Sequence, residues 1–205
     1  MVRALFNSAL AFASLLLLCC FLTAQPQDPI PADLNTSGSV TVDGHSTPYL
    51  IRHLPVSSFP DLPPTIQEQL NHRGCLIPQS YEARQPENVV HASLERSGSS
   101  DWAVLCSAQG TVSLLVFWGS ASGQPFTLAS SPETERLQTH SLSGVLGFNW
   151  AIDPASPQDV HEAQLGMRHP PRRLDHDALA DSVIDQRTVY HFYFSNAWTL
   201  IDTQD

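Results

Sequence analysis

Apolar residues in this chain fall into three kinds of run, and each kind predicts a different element. From Ala9 to Ala24 the run is nearly unbroken, about sixteen residues long. With Met1-Val2-Arg3 ahead of it and Leu22-Thr23-Ala24 at its end, it reads as an export signal and is short for a membrane span. From Asn88 to Arg96 apolar and polar positions alternate. Val90, Ala92 and Leu94 share one side and His91, Ser93 and Glu95 the other, the pattern of a half-exposed strand. Trp102 to Cys106 and Val112 to Trp118 are apolar on both faces, as strands covered on both sides are. Ser97-Gly98-Ser99-Ser100 and Gln109-Gly110 supply turns between these runs. Phe126 to Leu128 and Leu137 to His140 continue them as shorter strands. The spacing predicts an antiparallel meander whose two middle strands are central.

Helical periodicity is sparser. Pro63-Pro64-Thr65 opens a predicted helix in which Ile66 and Leu70 fall one turn apart and Gly74 is the stop. Ser156-Pro157-Gln158-Asp159 combines an N-cap, a first-turn proline and a first-turn acid. Asp177 reads as the cap of a third helix over Ala178 to Ile184, with Leu179 and Val183 one turn apart. Eight prolines lie between Pro26 and Pro64, so little regular structure is expected there beyond a small hairpin around Asp43-Gly44. Met167 to Leu174 (MRHPPRRL) reads as a loop. Thr188 to Phe194 and Trp198 to Ile201 flank Ser195-Asn196-Ala197 as a closing hairpin. The expected fold is therefore α+β, an antiparallel sheet meander with about three helices in a single domain. Its organisation is a signal peptide over 1–24, a flexible proline-rich leader over 25–38, and one domain over 39–205.

Charge and cysteine usage sharpen this picture. The chain carries 10 basic and 20 acidic residues, a net charge of −10 at pH 7. The leader contains Arg3 and no acid, so the remainder is more acidic still. Such a surface lacks the cationic face that releases counterions from nucleic acid, and anionic membrane surfaces repel it equally. Cys19 and Cys20 lie in the export signal, which leaves Cys75 and Cys106 as one pair in an oxidising compartment. A disulfide between them is expected, worth roughly 3–4 kcal/mol in the chain-entropy account. Two buried free thiols are the alternative, and a catalytic thiol a third. Leu17-Leu18-Cys19-Cys20 also permits a lipoprotein reading with Cys20 lipidated, although Cys19 stands where a small residue is the rule. The expected location is periplasmic or secreted, with no membrane span after signal cleavage.

Familiar catalytic patterns fail on particular residues. His161-Glu162-Ala163-Gln164-Leu165 begins like a zinc-protease helix, but Leu165 stands where the second histidine must sit. Gly119-Ser120-Ala121-Ser122-Gly123 puts alanine in place of a nucleophile-elbow serine. No glycine-rich phosphate loop follows a predicted strand, and no cofactor is expected. The densest polar cluster is Asp175-His176-Asp177, with Asp181 and Asp185 at four-residue steps beyond it. Two carboxylates and an imidazole are chemically able to hold a divalent metal, joined by His161 or His191 if the fold brings either close. The same acids also serve as helix caps. Tyr190, Phe192 and Trp198, around His191, offer a second candidate, an aromatic binding platform; core filling is its alternative.

Arg73-Gly74-Cys75-Leu76-Ile77-Pro78-Gln79, Asp101-Trp102-Ala103-Val104-Leu105-Cys106-Ser107 and Leu114 to Gly119 together resemble a group of uncharacterised bacterial exported proteins. Leu174 to Asp177 ahead of a Tyr/His/Phe-rich strand, with Trp198 in the closing hairpin, extends the likeness over most of the chain beyond Pro60. This resemblance implies export and a shared fold, and no chemistry. Asp101 and the Trp102-Ala103-Val104-Leu105 run are also similar to the end of an FG-GAP-type repeat. Ser97 to Ser100 departs from that pattern, lacking the early carboxylates that calcium requires. The expected function is a monomeric, non-enzymatic domain that binds an envelope component or protein. The alternative is a metal-dependent hydrolase using Asp175, His176 and Asp177.

Overall fold

The computed structural model describes residues 34–119, 123–139, 144–165 and 173–202. The segment expected to be a signal peptide, Cys20 and most of the expected proline-rich leader lie outside them, as does most of the loop expected over Met167–Leu174. Thirteen strands and two α-helices follow in order: β1 (Thr36–Val42), β2 (His45–Pro55), α1 (Pro64–His72), β3 (Leu76–Gln79), β4 (Val89–Ala92), β5 (Asp101–Ala108), β6 (Thr111–Phe117) and β7 (Phe126–Pro132), then β8 (Leu137–Thr139), β9 (Leu146–Phe148), β10 (Trp150–Ala155), α2 (Pro157–Ala163), β11 (Ala178–Val183), β12 (Arg187–Phe194) and β13 (Ala197–Asp202). Strands hold 52% of the described residues and helical turns 15%, which corrects the α+β expectation. The fold is nearly all sheet.

One sheet runs β7-β6-β5-β3-β2-β9-β8, with β1 on β2 and β4 on β5; the other runs β10-β11-β12-β13. The predicted meander is present as β4 to β7, all antiparallel, with β5 and β6 in its middle. The strand expected to continue it at Leu137 is instead β8, which pairs with β9 at the far end of the sheet. Two-residue turns at Asp43-Gly44 and Gln109-Gly110 close the β1–β2 and β5–β6 hairpins with both residues at positive φ. Glycine takes that conformation without the Cβ penalty.

The two sheets pack face to face, and each outer face carries a helix. Val104 and Cys106 point outward from β5 with Leu115 and Phe117 of β6, meeting Ile66 and Leu70 of α1. Ala103, Leu105, Leu114 and Val116 point inward to meet Trp150, Ile152 and Leu179 of the second sheet. Beyond that sheet, Ala178, Phe192 and Ile201 are covered by Val160 of α2. At one side the layers are joined by rings. Trp118 stacks on Trp198 with centroids 5.4 Å apart, and Tyr193 meets both edge-on.

Two helices formed where the proline and cap signals stood. In α2, Ser156 and Asp159 make the reciprocal capping box. The third expected helix is strand β11, paired on both sides by β10 and β12. Leu179 and Val183 lie four residues apart, a spacing that fits one helical turn and equally one face of a strand. Ladder bonds to two neighbours decide for the strand. The proline-rich stretch is also more regular than expected, since β2 runs eleven residues through Pro48. Residues 45–48 have only β1 as a neighbour, so a missing N–H there disturbs no second ladder. Strands β3, β9 and β10 have no counterpart among the expected elements, and β9 joins β2 in parallel.

Cys75 and Cys106 form the expected disulfide, with Cα atoms 5.1 Å apart. It staples the segment after α1 to the central strand β5.

Candidate functional site

Among the described residues, polar clusters inside the fold tie its elements together, and three of them bear on function. Asp101, 1% exposed, accepts hydrogen bonds from the backbone N–H groups of Leu94 (3.0 Å), Glu95 (2.8 Å) and Gly119 (2.9 Å), and from the Ser99 hydroxyl. Its carboxylate thus holds the β4–β5 turn against the end of β6, satisfied by three backbone donors and a hydroxyl. At the inner face of the second sheet, Asp181 accepts from Trp150 Nε1 (2.6 Å) and from His191 Nε2 (3.0 Å). The Arg136 guanidinium lies 4.0 Å over the Trp150 ring.

The third cluster joins β2, β5 and the turn after β7. Glu133 Oε1 accepts from His53 Nε2 at 2.7 Å and from the Ser107 hydroxyl, while His53 Nδ1 donates to the Leu34 carbonyl at 3.0 Å. Serine, histidine and glutamate meet here in the wrong order for nucleophilic catalysis. A histidine base must stand between the serine and the carboxylate, and here the carboxylate stands between the other two. All three side chains are buried. Burial pushes the Glu133 carboxyl up. Hydrogen bonds from His53 and Ser107, with a smaller pull from the charge on His53, overcome this and leave it below its ordinary 4.5. A depressed carboxyl stabilises the fold fully above its unfolded value, and that contribution is lost as pH falls through the lowered folded value. We expect Glu133→Gln to be less stable than the native chain at neutral pH. Its stability should also fall less steeply from about pH 6 to about pH 2, as read by denaturant titrations at each pH. Parallel curves for the two proteins would show that the bonds carry no stability.

Tyr81 links the sheets at another edge. Its hydroxyl donates to Asp185 Oδ2 at 2.9 Å and accepts from Gln138 Nε2 at 3.3 Å. Burial, then the hydrogen bond and charge of Asp185, raise the phenol from 10.0 to about 12. A raised value means that the contribution is complete below pH 10.0 and is lost as pH climbs toward about 12. Tyr81→Phe is expected to cost roughly 0.5–1.5 kcal/mol at neutral pH. It should also lack the alkaline loss seen in the native chain, and an unchanged alkaline limb would remove the assignment.

The residues singled out in the sequence are distributed differently. His176 Nδ1 faces Asp175 Oδ1 at 2.8 Å, and its Nε2 donates to the Tyr193 carbonyl at 2.9 Å. Both ring nitrogens are therefore engaged. The hydrogen bond from His176, with one from its own backbone, holds the exposed Asp175 carboxyl below its usual range. Asp177 caps no helix. Its Oδ2 accepts from the Ser93 N–H at 3.0 Å, and its own N–H donates back to the Ser93 carbonyl at 2.9 Å. His191 lies on the inner face of the second sheet while His161 sits on α2 beyond the outer face, so the fold does not bring them together. Among the described residues no group of three His, Cys, Asp or Glu side chains is placed to hold a metal ion. Tyr190 and Phe192 face α2, with Phe192 fully buried. Trp198 pairs across from Tyr193 on the opposite face. The three rings thus make no common platform.

What the structure offers instead is an open groove of about 560 Å³ at the outer edge of the first sheet, with Phe59, Pro60, Asp61, Pro86, His91 and Trp102 among its lining residues. The His91 ring lies flat on Trp102, centroids 4.3 Å apart and planes 11° from parallel. Ser100 Oγ, 2.7 Å from His91 Nε2, sets the ring's orientation. Strand alternation places His91 and Trp102 on the same outward face, because they are paired across β4 and β5. The alternating pattern of β4 put His91 on the polar side, but only the loop at Ser58–Leu62 and Pro86 turn that side into a groove. No helix among the described residues is long and apolar enough to cross a membrane. No protein-family model, curated protein or solved structure matches the chain.

Proposed function

We propose that the chain is an exported, monomeric, non-enzymatic domain that binds an envelope component or protein partner, and that the groove beside Trp102 is where it binds. The groove carries this reading. It is preformed, walled by aromatic and proline side chains, and of the few-hundred-Å³ size typical of ligand sites. The apolar leader from Ala9 to Ala24 supports export, and the disulfide suits an oxidising compartment.

Two measurements test it. Fractionation of cells producing the full chain is expected to recover it outside the cytoplasm, cut after Ala24 by mass spectrometry. The purified chain is expected to sediment with isolated envelope fragments, and Asp61→Asn/His91→Ala to sediment several-fold less. A full-length cytosolic product, or equal sedimentation of the two proteins, would overturn the corresponding half of the proposal.

A further inference from the structure

The geometry points to an amino-sugar oligosaccharide as the ligand of this groove, an inference that rests on the binding function proposed above. Three features of the lining select that chemistry. The first is the wall: an exposed imidazole face, backed by Trp102 and oriented by Ser100, presents a flat, rigid π surface. The C–H face of a sugar ring, or a cationic group, packs against such a surface.

The second is polarity. Asp61 is exposed and has no hydrogen-bond or ion-pair partner among the described residues. Ser58 adds a hydroxyl, and no arginine lines the groove. Pro60 and Pro86 lack backbone N–H groups. Asp61 is the one acid among the lining residues, and neither arginine nor lysine stands against it, so a ligand ammonium group is the partner that its charge favours. The Ser58 hydroxyl both donates and accepts, as a sugar hydroxyl does. The net charge of −10 adds a long-range bias toward cationic over anionic ligands.

The third feature separates a sugar from a peptide. β4 pairs with β5 and has β10 near its other edge, where Asn88 bridges to Trp150 and Ile152. β4 has no second ladder, but β10 lies alongside its other edge. An extended peptide would have to displace β10 to gain ladder bonds there.

The test is titration of the mature chain with a glucosamine trimer, its N-acetylated counterpart and a lysine tetrapeptide, followed by indole fluorescence and calorimetry. Saturable binding of the glucosamine trimer is expected, tighter than that of the acetylated trimer, which lacks the ammonium groups. Asp61→Asn should weaken it roughly tenfold or more, the loss of one charge-assisted hydrogen bond. His91→Ala should remove most of it. Both side chains are exposed, and circular dichroism checks that the variants remain folded. No saturable binding of the glucosamine trimer would overturn the assignment, as would affinity unchanged in both variants. Tighter binding of the lysine peptide would do the same. Failure here with groove-dependent envelope sedimentation intact removes only the ligand class; failure of both removes the binding function.

Discussion

Replacing Asp101 by alanine is expected to lower unfolding stability by about 3–5 kcal/mol. Four donors converge on that one carboxylate: the N–H groups of Leu94, Glu95 and Gly119 and the hydroxyl of Ser99. Alanine leaves them facing an apolar hollow at a site that is 1% exposed. Asparagine is the sharper probe, because it conserves shape. Its amide oxygen can stay with the three donors on the Oδ2 side, but its NH₂ then opposes the Gly119 N–H. The expected loss for Asp101→Asn is about 1–3 kcal/mol, the cost of one frustrated buried contact. Urea unfolding at constant m reads both. Losses below about 1 kcal/mol for each would mean that the turn is held by its backbone and not by this side chain.

Removing the disulfide is expected to cost nearly as much. Cys75→Ala/Cys106→Ala should lose roughly 3–4 kcal/mol, chiefly by freeing the unfolded chain, with a further loss from the packing of the two sulfurs. Both cysteines are about 95% buried, at 4% and 5% exposure. The bridge should therefore resist a reductant in the native protein and yield only when denaturant is added. A native protein that reduces at the same rate with and without denaturant would contradict this burial. The bridge also bears on the groove, because Leu62 and Phe59 share an apolar cluster with Cys75 and Trp102. Loosening the segment beyond α1 is expected to loosen the groove wall with it.

Much of the chain declared itself locally. The capping box of α2 and the Pro64 start of α1 are contacts among near neighbours, and the hairpin turns need only two residues of permitted backbone. The doubly apolar runs of β5 and β6 stand out because both of their faces are buried. Residues 178–184 did not declare themselves, because a four-residue spacing satisfies both periods. β3 and β9 span four and three residues, too few to show a period. β10 carries one in Trp150 and Ile152, interrupted by Pro154. The aromatic platform failed for a related reason. Tyr190 and Phe192 are two apart and share a face, but the side of the sheet on which Trp198 lies depends on the register of β12 with β13.

What the amino-acid order determined alone was whatever rests on short range: the apolar run from Ala9 to Ala24, the acidic balance, the turns, two helix starts and the pairing of the only two cysteines beyond that run. What tertiary structure decided was the division into two facing sheets, and with it the fate of every polar cluster. Asp175, His176 and Asp177 are consecutive, yet Tyr193 and Ser93 engage them from different sheets. Phe59, Pro86 and Trp102 are far apart in sequence and form one groove. Hydrogen bonds and burial act through space, and only the folded chain brings their partners within reach.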